Sequence, residues 1–154
     1  MTARQPARPK SPSPSVARAW IGLMRAQRAV LAAIERDLKA AGLPPLVWYD
    51  VLLELTRAPQ GRLRPYEIEA RTLLAQYNLS RLLDRLERDG LVRHEAFAAD
   101  GRGRWAVITG AGLVMQGRIW AVYAAAIQRH VGTKLDDASA GRLADLLARL
   151  AGEA

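Results

Sequence analysis

Past Gly90 the spacing of apolar residues changes from about 3.6 to about 2, so the chain passes from helix to strand at one point. Leu91-Val92-Arg93-His94-Glu95-Ala96-Phe97 alternates as a strand does, and Arg104-Trp105-Ala106-Val107-Ile108 returns as a second one. Between them, Asp100-Gly101-Arg102-Gly103 has the composition of a turn, since Asp favours turn starts and Gly supplies positive φ. A two-stranded hairpin is marginal by itself in water and must lean on helices.

The residues before Gly90 supply those helices. Pro45 stands at the first turn of LVWYDVLLELTRA, which stops before Pro59 and Gly61. Arg62-Leu63-Arg64 leads into a short helix from Pro65, PYEIEAR. After a Thr72-Leu73-Leu74-Ala75 link, a further helix is predicted from about Gln76 to Asp89, with Leu79, Leu82, Leu83 and Leu86 facing inward. Two short helices joined by a short link fit a helix-turn-helix. Followed by the hairpin, they form a winged helix.

Long helices flank this unit. From Ser15 to about Ala40, Val16, Trp20, Leu23, Val30, Ile34 and Leu38 share one face, which Ile21, Met24 and Leu31 widen. Gly42 and Pro44-Pro45 stop it. Such a helix would span about 37 Å, long for so small a domain. Thr109 is the expected N-cap of another helix, through LVMQGRIWAVYAAAIQRHV to Gly132, apolar over most of its circumference. Asp136 or Asp137 caps a last helix with Leu143, Leu146, Leu147 and Leu150 on one side. These outer helices are too apolar for a monomer, and a homodimer formed by both terminal regions resolves the excess. The expected class is mainly α with a small β-hairpin wing: a winged helix-turn-helix with terminal helices as a dimerisation platform. The expected layout is a flexible basic arm over 1–14 and one domain over 15–154, with platform helices at about 16–41 and 110–152 and the lobe at about 45–109. The arm holds Pro6, Pro9, Pro12 and Pro14 with Arg4, Arg8 and Lys10, too little apolar surface to offset its ordering entropy.

At 154 residues the chain fits about one domain and can fold without a staple. It has no cysteine, which removes disulfide scaffolds, thiolate metal sites and thiol chemistry together. His94 and His130 have no evident acid cluster in the sequence, so no metal centre is expected. With no Gly-rich phosphate loop, nucleophile motif or paired acids, neither an enzyme nor a bound cofactor is expected. No run approaches the roughly 20 apolar residues of a membrane span, and the basic N-terminus lacks a signal's apolar stretch, so a cytoplasmic protein is expected. Lys and Arg number 23 against 15 acids, a formal net charge of +8, and an excess of that size points to a polyanionic partner such as nucleic acid.

The helix from Gln76 carries the side chains suited to base edges: Gln76, Tyr77, Asn78, Ser80 and Arg81 in its first turns, with Arg85 available to a phosphate. Asn and Gln pair with adenine and Arg with guanine, each good pair contributing roughly 1–3 kcal/mol of discrimination. The hairpin tip adds Arg102 and Arg104 beside Asp100, and a narrow minor groove attracts inserted Arg.

In this order the chain resembles the MarR (multiple antibiotic resistance regulator) family of bacterial transcription factors over roughly residues 16–150. The resemblance rests on Leu79-Ser80-Arg81-Leu82-Leu83-Asp84-Arg85-Leu86-Glu87 with Asp89-Gly90-Leu91-Val92, on Asp100-Gly101-Arg102, on Ile108-Thr109 with Gly112, and on Leu135 onward. It departs at Arg93-His94, where the family usually has two arginines, and at Gly110, where Glu or Pro is usual. The resemblance implies a homodimer whose two reading helices enter successive major grooves of double-stranded DNA about 34 Å apart, on a pseudo-palindromic operator. It implies repression by promoter occupancy, and release by a small phenolic or aromatic effector held between platform and lobes. Trp20, Met24, Trp48 and Tyr49 on the first two helices suit such a crevice, although aromatics at helical spacing are more often core. The other reading is a winged-helix protein-interaction adaptor without specific DNA binding. The polar Gln76–Arg81 edge favours DNA.

Overall fold

The computed structural model describes residues 11–73, 78–97 and 103–153. Helix α1 (Pro14–Ala40) starts one residue earlier than expected, because Ser13 Oγ accepts from the Val16 N–H at 3.2 Å and Pro14 fills the first helical position. The expected arm therefore loses its last two residues to a capped helix, and its residues 1–10 lie outside the described ones. The far end closes as predicted, with the Leu43 N–H donating to the Leu38 carbonyl at 3.0 Å across Gly42.

Helix α2 (Leu46–Arg57) has no side-chain cap of its own; Glu35 of α1 accepts from the Leu46 N–H at 3.0 Å. There follow a 3₁₀ turn (Pro59–Gly61), β1 (Arg62–Leu63), α3 (Pro65–Arg71), α4 (Leu79–Arg88), β2 (Val92–Ala96) and β3 (Arg104–Ile108). The chain ends with α5 (Gly110–Ile127), a π-helical turn (Gln128–Gly132) and α6 (Asp137–Ala151).

The sheet has three antiparallel strands in the order β1-β3-β2, where the sequence led to two. Arg62 pairs with Val107 and Leu63 with Ala106 on the free edge of β3, so this pair of residues is a strand only by virtue of its distant partner. On the other edge Val92 pairs with Ile108 and Ala96 with Arg104, so the two expected strands do pair antiparallel. At the α4–β2 corner, Gly90 sits at φ +72°, Leu91 N–H donates to the Leu86 carbonyl and Gly90 N–H to that of Glu87, both at 2.9 Å. A left-handed residue is needed there, and glycine adopts it without a Cβ penalty.

Two apolar clusters share α2. Trp48, Leu52 and Leu55 join Ile68, Leu82, Leu86, Val92 and Ala106 in the lobe's core. Leu46 and Tyr49 instead join Ile34 and Leu38 of α1 and Ile119 and Ala126 of α5. Nothing in α6 is buried, and nothing in α1 before Ala33. The expected end of α5 at Gly132 is reached through a widened turn rather than regular α-helix.

That turn is tied to α1. His130 Nε2 lies 2.8 Å and Arg129 Nη1 2.9 Å from Asp37 Oδ2. The His130 hydrogen bond foremost, working against desolvation and helped by the Arg129 charge, holds the Asp37 carboxyl below the usual carboxylate range. Because the folded-state value is depressed, this stabilisation is present above the ordinary carboxylate pKa and lost as pH falls through the lowered one. Asp37→Asn is expected to lower the denaturant midpoint at neutral pH and to flatten its decline under acid. Equal acid limbs for variant and parent would reject this.

Candidate nucleic-acid interface

The reading helix is shorter than the sequence indicated. It begins at Leu79 because Asn78 takes extended backbone and its Oδ1 accepts from the Arg81 N–H at 3.1 Å. Asn78 is thus the cap before the helix rather than a member of its first turn, with the amide NH₂ left to donate outward. Asn78→Ala is therefore expected to lower global stability by about 1 kcal/mol in chemical denaturation, from the lost cap. It should also weaken binding to a cognate site more than to random DNA, and a uniform loss would reduce it to a backbone contact.

Leu82, Leu83 and Leu86 anchor α4 in the core, which leaves Ser80, Arg81 and Arg85 on the exposed side. Arg81 and Arg85 are one turn apart and line a shallow groove with Asn78, Trp48 and Arg88. Ser80 and Arg104 line a second depression with Arg64 and His94, so the start of α4 and the base of the hairpin meet there. Gln76, Tyr77 and Arg102 lie outside the described residues, as does Asp100.

The hairpin base is braced by stacked cations. The Arg64 guanidinium sits 3.6 Å from the Phe97 ring centroid and 5.3 Å from that of Trp105, with Arg62 4.8 Å from Trp105. Arg93 and Arg62 both pair with Glu95, and these contacts, that of Arg93 foremost, lower its pKa. Each histidine also has a carboxylate neighbour that the sequence did not reveal: Glu87 Oε1 is 3.0 Å from His94 Nδ1, and Asp37 serves His130. Among the described residues no cluster of three or more His, Cys, Asp or Glu could hold a metal ion, and no helix is long and apolar enough to cross a membrane.

The four candidate effector residues are not brought together. Trp48 and Tyr49 are neighbours, so about 100° of helix rotation sends Trp48 into the lobe core and Tyr49 toward α5. Trp20 and Met24 are exposed on α1, Trp20 at 62%. Tyr49 instead walls a cavity of about 440 Å³ with Asp50, Gln116, Trp120 and Tyr123. Its ring stacks on Trp120 at 5.9 Å, and Tyr123 stands edge-on to both, at 5.2 and 5.8 Å. Burial first, with the Asp50 charge acting in the same direction, pushes both phenols above their ordinary pKa.

Residues 41–103 match the family model described as MarR family. The fold matches that of Sco3205, a MarR family transcriptional regulator from Streptomyces coelicolor in complex with DNA, at a TM-score of 0.83 and 25% identity over 94% of this chain and 91% of that one. The chain is thus similar in fold to MarR-family winged helices. AbsC, a MarR family transcriptional regulator from the same organism, matches at a TM-score of 0.80 and 26% identity, over 94% of this chain and 97% of that one. BpsR from Bordetella bronchiseptica, whose DNA binding is regulated by 6-hydroxynicotinic acid, shares the fold at a TM-score of 0.74 and 20% identity, over 93% and 97% of the two chains. No curated protein matches the sequence.

On this fold the residues that sequence reasoning did not single out are Arg62 and Arg64, Phe97 and Trp105, and the cavity's Trp120 and Tyr123. Arg-x-Arg before Pro65 was the available signal for the first pair. The stacking itself joins residues too far apart in the chain for any periodicity to reveal.

Proposed function

We propose that the chain acts as a homodimer that binds a pseudo-palindromic site in double-stranded DNA and represses by occupying a promoter. The observation that carries this reading is the exposed Asn78–Arg85 edge of α4, set beside Arg104 on a lobe of the MarR type, one relative of which is solved with DNA. In this arrangement Arg81 and the Asn78 amide face base edges, Ser80 and Arg85 meet phosphates, and Arg104 follows the hairpin toward the minor groove. Gln76, Tyr77 and Arg102, outside the described residues, belong to the same proposed DNA-contacting set. Residues 16–41 and 110–152 form the platform, with the exposed Trp20 and Met24 on its dimer face, and 45–109 the reading lobe.

A small aromatic ligand in the Tyr49 cavity would release the DNA if it bound the wrongly spaced dimer more tightly than the DNA-bound one. The BpsR fold-mate, regulated by an aromatic acid, supports an aromatic guest.

The test is a titration of the purified chain against its own upstream intergenic DNA, with scrambled competitor, across a salt series. Preference for the native DNA and a steep loss of affinity with salt are expected. Equal affinity for both DNAs would defeat specificity, and no binding at low salt would leave the adaptor reading.

A further inference from the structure

All five cations of α1, Arg18, Arg25, Arg28, Arg36 and Lys39, are exposed, and they fall within about 80° of arc at about 100° per residue. Their stripe is about 32 Å long, close to one turn of duplex DNA. It lies on the far side of the helix from the buried Ile34 and Leu38. We infer that this stripe is a second DNA-contacting surface. Duplex flanking the operator half-site runs along it, its phosphates meeting Arg36 and Lys39 first and the other three arginines beyond. The inference rests on the DNA-binding reading above and extends that interface from the lobe to the platform.

Continuity with α4 favours it. Pro45, just before α2, walls two depressions, one shared with Arg36 and Lys39 and the other with Arg81, Arg85 and Arg88. The α1 stripe therefore continues the arginine row of the reading helix around a single corner. None of these cations is within ion-pair distance of an acid among the described residues. Two acids border the band. Glu35 already accepts from the Leu46 N–H, and Asp84 is one carboxylate beside three guanidinium groups. Unpaired like charges held together repel one another, and a phosphate backbone relieves that repulsion while releasing its own counterions. An anionic membrane fits less well. A helix at a lipid surface inserts its apolar face, whereas that face of α1 holds Ile34 and Leu38 in the core.

The test measures fluorescence anisotropy on duplexes with the same upstream core, trimmed to about 20 base pairs or extended by about 10 on each side. At low salt the parent is expected to bind the extended duplex about tenfold or more tighter. Arg36→Gln with Lys39→Gln should remove most of that gain and lower the slope of log affinity against log salt by about 1 or more, the loss being confined to the extended duplex. Arg36→Lys with Lys39→Arg keeps both charges and should behave as the parent. No gain in the parent, or an unchanged gain in the glutamine variant, would overturn the inference. So would a glutamine variant that loses only binding to phosphatidylglycerol vesicles. Scrambled cores of both lengths separate the inference from the reading it rests on. Equal affinity for native and scrambled cores, with the flank effect intact, overturns sequence-specific regulation alone. Specific binding of the trimmed core with no flank effect overturns this inference alone, and no binding of any duplex at low salt overturns both.

Discussion

Replacing Leu146 and Leu150 with glutamate is expected to leave the chain monomeric and to cut operator affinity by about 10²–10⁴-fold, the range lost when two linked binding units act singly. Both leucines lie on α6, where no residue is buried, and Leu150 is 74% exposed. Leu143 and Leu147 extend the stripe, and on α1 the exposed Val16, Trp20, Ile21 and Met24 form another. Apolar patches of this extent mark an interface, and here both lie on helix stretches with no buried residue. The lobe core of Leu52, Leu55, Ile68, Leu86 and Val92 is self-contained, so each separated lobe should keep its helical circular dichroism. Sedimentation read beside a DNA titration decides the matter. A double variant that stays dimeric, or a parent chain that sediments as one copy at working concentration, would end the platform proposal.

Gly112→Ala is expected to be the most damaging single-methyl change in the chain, destabilising it by about 3 kcal/mol or more. Added at this position, a Cβ would run into the Leu91 carbonyl oxygen and sit 2.7 Å from Ile108 Cγ1. One of these neighbours is backbone and cannot rotate away. The approach is close because Thr109 pins the first turn of α5 to the α4–β2 corner. Its hydroxyl donates to the Gly90 carbonyl at 2.6 Å, its N–H to that of Leu91 at 3.1 Å, and Gly112 N–H donates back to the hydroxyl at 3.1 Å. The methyl must therefore push α5 off the corner that sets the reading helix, and DNA affinity should fall with the thermal midpoint. Gly141→Ala is the control. It lies in α6 off the leucine stripe with nothing within 4 Å, and should stabilise by up to about 1 kcal/mol through helix propensity. Similar midpoints for the two variants would show that α5 does not bear on the corner.

Much of the lobe was legible in the sequence because its signals are local. Gly42 and Gly90 end helices in the left-handed conformation only glycine adopts freely, Thr109 and Asp136 cap through side chains three residues from their partners, and β2 and β3 flank the turn-rich Asp100–Gly103 stretch. One local misreading, the start of α4, came from treating Asn78 as a helical residue when its short amide satisfies the N–H of Arg81 better from outside.

What the sequence by itself determined was the order of helices and strands, the capped ends, and the surplus of apolar surface on the outer helices. Tertiary structure alone decided that Arg62-Leu63 is a strand, that Trp48 and Tyr49 serve different cores, that Asp37 meets His130, and that Asp50 shares a cavity with Trp120 and Tyr123. The reason is distance along the chain. A cap or an alternation is settled within a few residues, whereas these contacts join segments some 43 to 93 residues apart, brought together only when whole helices pack.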